Sequence, residues 1–234
     1  MKKVILALFL VLVAGMASAH SKDNQGVKET RKVSGFTKIG FGIAGDLYIN
    51  IGSEFRVELE GPKSLLDEIE TELSGSKLVI KKDTWHTFGN EKVTVYITLP
   101  ALEGLSVSGS GKAEVKDAVK SEELHLSVSG SGKILMADLA IGDLDVGISG
   151  SGDVIIGGSG DARNADISIS GSGNYSGESL RIANGDFGIS GSGSCRCNVT
   201  DKLEASVSGS GNVTYLGNPK VDARVSGSGR VRSK

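Results

Sequence analysis

The tetrapeptide Ser-Gly-Ser-Gly occurs seven times in this chain, beginning at Ser108, Ser129, Ser149, Ser170, Ser190, Ser208 and Ser226. Successive copies lie 21, 20, 21, 20, 18 and 18 residues apart. A recurring period in this range confines a chain to stacked repeats, because one short unit cannot bury its own apolar side. A flexible Gly/Ser linker is the competing reading, and the flanking residues reject it. Each copy follows a β-branched residue: Val107, Val128, Ile148, Ile169, Ile189, Val207 and Val225. Upstream, Leu124-His125-Leu126-Ser127-Val128 and Leu203-Glu204-Ala205-Ser206-Val207 alternate apolar with polar, the period of a half-buried strand. Apolar residues return two and four places after the motif, as in Ile134 and Met136 or Val154 and Ile156. Each unit therefore reads as strand, corner, strand and polar return. The corners are built on Ser108 and Gly109, Ser129 and Gly130, Ser149 and Gly150, and Ser170 and Gly171, then on Ser190 and Gly191, Ser208 and Gly209, and Ser226 and Gly227. Glycine supplies the positive φ of a sharp corner and lets coils approach closely. The serine hydroxyls are expected to stack on one another from coil to coil.

Glycine accounts for 34 of 234 residues with only three prolines, which excludes collagen and proline-rich linkers. Residues 31–105 lack the motif and read as a leading segment of the same sheet system, followed by the Ser-Gly-Ser-Gly coils over 106–234. In the leading segment, Asp46 to Ile51, Phe55 to Glu60, Lys77 to Lys81 and Val93 to Leu99 alternate like strands. Between them, Leu65, Leu66, Ile69 and Leu73 recur at helical spacing after Pro62, predicting one short amphipathic helix that covers the first coil. Arg224, Arg230, Arg232 and Lys234 read as charge protection of an open edge at the far end.

The first nineteen residues have the layout of a secretory signal: Lys2 and Lys3, an apolar run from Val4 to Val13, and the small residues Ala17-Ser18-Ala19. The run is too short to span a bilayer. Residues 1–19 are thus expected to be cleaved, residues 20–30 to be a disordered mature amino terminus, and residues 31–234 to form a single β-helix domain. The destination is the periplasm, the outer membrane or the outside. A slightly negative chain, formally −2, holds no attraction for nucleic acid.

Chemistry-bearing residues are few. His125 faces solvent between Leu124 and Leu126, and no nucleophile elbow accompanies it to make a triad. His20 at a mature amino terminus lacks the second positioned histidine that a copper brace requires. Cys195 and Cys197 fall on inward positions and read as buried free thiols, with a strained disulfide as the alternative. Gly157-Gly158-Ser159-Gly160-Asp161 is a misregistered single copy of a calcium-binding nonapeptide and reads as a loop. The carboxylates are expected to scatter through connections instead of forming one ladder, which argues against a pectate-lyase site. Scarce aromatics limit any sugar-stacking platform. The one candidate contact is the polar loop holding Trp85, His86 and Phe88, whose aromatics can stack on sugars or anchor a protein. The alternative is that Trp85 folds back over the solenoid end.

One family matches this ordered set of segments. Val33-Ser34-Gly35-Phe36, Gly45-Asp46-Leu47-Tyr48-Ile49, Val57-Glu58-Leu59-Glu60-Gly61, Leu65-Leu66-Asp67 and Leu99-Pro100-Ala101-Leu102 lead into Val107-Ser108-Gly109-Ser110-Gly111. The chain resembles the putative autotransporter adhesins with a head GIN domain, found chiefly in Bacteroidetes-type bacteria. The resemblance implies a right-handed, pectin-lyase-like parallel β-helix without a conserved catalytic set, and a role in cell adhesion. The expected molecule is all-β with one short helix in its N-terminal part. It is expected to be an exported envelope or surface protein of structural or adhesion type, with no catalytic activity, cofactor or metal. Its expected partners are a surface glycan or an envelope or host protein, or further copies of itself. Two alternatives stand beside it: a carbohydrate-binding or carbohydrate-processing β-helix, and a periplasmic self-assembly module.

Overall fold

Period-two segments separated by glycine corners can bury their apolar side only against copies of themselves, and in the computed structural model they do so. Residues 26–82 and 92–234 are described. The leading segment forms β1 (Val27–Thr30), β2 (Lys38–Gly42), β3 (Gly45–Ile51), β4 (Arg56–Gly61), a single helical turn α1 (Lys63–Leu66), β5 (Ile69–Ser74), β6 (Lys77–Lys82) and β7 (Val93–Leu99). The coils follow as β8 (Gly104–Gly109), β9 (Lys112–Val115), β10 (Val119–Gly130), β11 (Lys133–Met136), β12 (Leu139–Gly150), β13 (Asp153–Ile156) and β14 (Gly160–Gly171). The last are β15 (Asn174–Gly191), β16 (Ser194–Gly209), β17 (Asn212–Leu216), β18 (Lys220–Gly227) and β19 (Arg230–Ser233).

Two parallel ladders run the length of the stack. The strands before each corner pair as β8, β10, β12, β14, β15, β16 and β18. The strands after it pair as β9, β11, β13, β15, β16, β17 and β19, with β15 and β16 long enough to serve both ladders. Together they make a β-solenoid of about six turns. In the first ladder Val107, Val128, Ile148, Ile169, Ile189 and Val207 lie in register, each at most 3% exposed. Burying such side chains is worth roughly 1.5–3 kcal/mol each as an upper estimate, so the stack is held by contacts between successive coils.

The corners stand in one column, as their spacing predicts, and the two glycines of each motif do different work. Gly130 adopts φ 108°, a conformation costly for any residue with a Cβ. Gly132 has ordinary φ, but a Cβ there would lie 2.6 Å from Val107 Cγ1 and 2.9 Å from the Gly111 carbonyl oxygen. Successive corners are joined by backbone hydrogen bonds, with the first serines of the motifs in register from coil to coil: Ser131 N–H donates to Gly109 O at 2.9 Å and Lys133 N–H to Gly111 O at 2.9 Å.

The leading segment departs from chain order. β2 lies between β6 and β8, and β3 between β7 and β9, so the coil containing β6 and β7 sits beneath the one that precedes it in sequence. Between them the chain builds a cap. β4 pairs antiparallel with β7, β1 with β4, and β5 with β6, while Leu65 and Leu66 of α1 are buried. Residues 27–30, within the segment expected to be disordered, form β1. The helix is also shorter than the apolar spacing suggests: Ile69–Ser74 is a strand, and Leu73 is 48% exposed. Ile69 and Thr71 are β-branched and gain a full ladder with Lys82 and Ile80, which one turn of helix could not match.

Candidate functional site

On the first ladder, from the second motif onward, the residue four places before the motif's first serine points outward. Strand register stacks His125 on Asp145, then Asp166, Asp186, Glu204 and Asp222. Six places before the motif stands a second column of Glu123, Asp143, Asn164, Asn184, Lys202 and Lys220. An open groove of about 430 Å³ runs along these columns, with Leu144, Ala165 and Gly185 also lining it. Beside it lies a groove of about 520 Å³ lined by Ser127, Ser168 and Ser206, with Gly147 and Gly188 between them. This acidic column corrects the expectation that the carboxylates scatter through the connections. Its signal is present in the sequence as a fixed offset from each motif, which becomes visible only when the polar positions are aligned along with the apolar ones.

Hydrogen bonds tie the columns together. Asn164 Nδ2 donates to Asp143 Oδ1 at 2.7 Å, and Asn184 Nδ2 to Asn164 Oδ1 at 3.1 Å. His125 Nδ1 lies 3.2 Å from Asp145 Oδ2, with Nε2 3.7 Å from Glu123. Its ring nitrogens thus meet carboxylates, where a triad would need a hydroxyl nucleophile. The charge balance differs along the row. Lys202 hydrogen-bonds Glu204 and holds its carboxyl below the ordinary range. Mid-column, burial pushes the Asp166 carboxyl above the ordinary range, and like-charged Asp186 and Asp145 on either side add to it. Evenly spaced acceptors about 4.8 Å apart can meet an extended partner at several points at once.

The other candidates fall elsewhere. Trp85, His86 and Phe88 lie outside the described residues; the strands that flank them, β6 and β7, belong to the coil at the capped end. The serine and glycine corners form the aligned column described above. Cys195 and Cys197 are buried and unbridged, in register with Tyr175 and Gly177 on the coil below. Burial, reinforced by Cys197, raises the Cys195 thiol well above its ordinary range, which makes it a core residue and not a nucleophile. The loop at Gly157 to Asp161 is fastened by Asp138, whose Oδ1 accepts the Ser159 N–H at 2.7 Å. Asp161 itself pairs with Arg181.

An aromatic pair lies in the leading segment, where no repeated motif marks the strand register. Tyr48 and Tyr96, on the outward side of β3 and β7, stack with centroids 5.7 Å apart. Lys28 covers Tyr96 at 5.4 Å and Lys116 covers Tyr48 at 5.6 Å. With the two rings facing each other and a lysine over each, neither offers a free face to a sugar. Among the described residues no cluster of three or more His, Cys, Asp or Glu side chains is arranged to hold a metal, and no helix is long and apolar enough to cross a membrane.

Known proteins share this architecture. A putative adhesin from Bacteroides fragilis superposes with a TM-score of 0.83 at 24% identity, covering 90% of this chain and 97% of that one. A putative adhesin from Parabacteroides distasonis gives 0.73 at 22% identity, covering 91% and 98%. A putative lipid binding protein from the same species gives 0.72 at 19% identity, with 91% and 98% covered. Identities this low speak for a shared fold and leave the ligand open. No curated protein matches the chain. Residues 35–219 match the family described as "Putative auto-transporter adhesin, head GIN domain", spanning the cap apart from β1 and six of the seven corners. The chain belongs to that family.

Proposed function

We propose that this is an exported, non-catalytic protein of the cell envelope or surface, making adhesion-type contacts along the outward face of its first ladder. The observation that carries the reading is the solvent-open groove whose carboxylates and amides repeat in register from coil to coil. Such a row favours many modest contacts to an extended partner, a glycan strand or an extended protein segment, over one fixed reacting centre. The basic start, apolar run and small-residue site of residues 1–19 support export, and the adhesin description of the family supports the role.

Binding of the protein to a glycan array tests this. The expected result is retained glycans whose signal falls at least tenfold in the triple variant Asp145→Asn/Asp166→Asn/Asp186→Asn. An array that stays silent, together with unchanged binding to envelope extracts by the triple variant, would remove the groove from the account. Trp85→Ala on the same array separates the aromatic loop from the groove. A second reading has its own observation: carboxylates stacked at a fixed coil offset also suit carbohydrate processing, where two carboxyls flank the scissile bond. Release of reducing ends from any array glycan, lost in the triple variant, would establish that reading instead.

A further inference from the structure

The two ends of the solenoid are unlike. At one end β1, β4 and β5 turn antiparallel and α1 buries Leu65 and Leu66. At the other, β18 pairs only with β16 and β19 only with β17 among the described residues, leaving the far edge of each bare. All of β18 is exposed. Register with Leu203, Ala205 and Val207 places Val221, Ala223 and Val225 in the inward columns, yet Val221 is 39% exposed and Val225 45%. The basic residues expected to protect this edge leave its inward positions apolar. Arg224, like Asp222 and Lys220, sits on an outward position, so none of these charges is an inward one of the kind that stops a strand from adding with its apolar face inward.

We infer that the bare end docks a second copy of this chain, with β18 pairing antiparallel to its own equivalent about a two-fold axis through Ala223. Three features select this occupant and this register. Antiparallel pairing that keeps inward residues inward must bring together positions of the same parity, because a slip of one residue would turn every side chain to the wrong face. Centring on Ala223 sets Asp222 opposite Arg224 of the second copy, twice by symmetry. It also sets Val221 opposite Val225. Centring on Asp222 instead opposes Asp222 to itself and Lys220 to Arg224, and centring on Arg224 opposes two arginines. Opposite charges facing across a strand pair stabilise it and like charges destabilise it. Centring on Val221 also opposes Lys220 to Asp222 but pairs only residues 220–222 of the strand, so centring on Ala223 is the one self-complementary register that pairs the strand from Lys220 to Ser226. The isologous joint closes at two copies and leaves both caps outward. The same axis carries the second copy's β19 to the Lys220 side of the joint, so Arg230 and Arg232 do not meet their own equivalents. Lys220 and Asp222 end the two outward columns, but the groove's lining stops at Lys202 and Glu204, so the joint does not rest on what the groove binds.

Sedimentation equilibrium of the purified protein and four charge arrangements tests the register. The wild type is expected at twice the monomer mass. Arg224→Asp alone and Asp222→Arg alone are each expected at the monomer mass, since each leaves like charges opposed. An equimolar mixture of those two variants is expected to regain the doubled mass, because the aspartates of one then face the arginines of the other. The exchange Asp222→Arg/Arg224→Asp is expected to do the same within one chain. Both positions are exposed, and far-UV circular dichroism confirms that each variant keeps its β content. A monomeric wild type overturns the proposal. So does a single reversal that leaves the mass doubled, or a mixture and exchange that both stay monomeric.

Discussion

Two glycines of the repeat region differ in what surrounds them, and their substitution should move stability in opposite directions. A Cβ on Gly152 would lie 2.4 Å from Val128 Cγ1 and 2.5 Å from the Gly132 carbonyl oxygen, while one on Gly147 meets nothing within 4 Å. Gly152→Ala is expected to destabilise by about 1–3 kcal/mol through overpacking against backbone that cannot yield. Gly147→Ala is expected to stabilise by about 0.5–1 kcal/mol by restricting the unfolded chain. Denaturant melts of both variants check the contrast, and equal losses would mean that corner packing is not what the motif's last glycine serves. Asp166 gives a pH-dependent counterpart. Its carboxyl is held above the ordinary range by burial and by Asp186 and Asp145. A raised folded-state pKa contributes stability that is complete below the unfolded value and lost as pH rises through the folded value. Asp166→Asn should therefore raise Tm at neutral pH, by about 1–2 °C after allowance for its solvent exposure. The gain should vanish in acid, below the unfolded aspartate range. A gain that persists there would trace the effect to packing.

At the scale of elements, the coils were legible in the sequence and the cap was not. The motif fixes the coil register from Ser108 onward, so Val107, Val128 and Ile148 could be assigned to one interior from spacing alone. Residues 27–105 carry no such marker. Alternation identifies strands there but fixes neither that β6 runs beneath β2 nor the register that sets Tyr48 beside Tyr96. The acidic column escaped for a different reason: any polar residue satisfies an outward position, so the pattern of apolar and polar carries no trace of its sign. Leu65, Leu66, Ile69 and Leu73 recur at helical spacing, but Ile69, Thr71 and Leu73 also fit a strand, and pairing with β6 decides between the two. What remains of it, α1, holds Leu66 at 0% exposure at the capped end, beside β4. Leu66→Ala is expected to cost about 2–4 kcal/mol, in the range of large-to-small changes in a core. It should also raise binding of a hydrophobic dye if α1 covers the stack; a loss within a few tenths of a kcal/mol and no dye signal would mean that β4 and β5 close the end without it.

For the whole molecule, stability that arises between neighbouring coils implies a gradient along the stack. A central coil such as the one containing β14 is held on both sides, by β12 and β15, whereas β18 is held by β16 alone. The antiparallel cap removes this weakness at one end. In a single molecule, opening should therefore begin at β18 and β19 and progress inward, and amide exchange should be fastest there and slowest near β12 to β15. The paired end changes that order. When a second copy covers β18, its outer amides gain partners, and opening must wait for the joint to part. Hydrogen exchange measured on Arg224→Asp should thus show rapid labelling of residues 220–227, whereas the wild type at concentrations where its mass is doubled should protect the same residues and leave β12 to β15 unchanged. Uniform exchange along the variant would mean that the coils unfold as one cooperative unit, with no weak end for a partner to close.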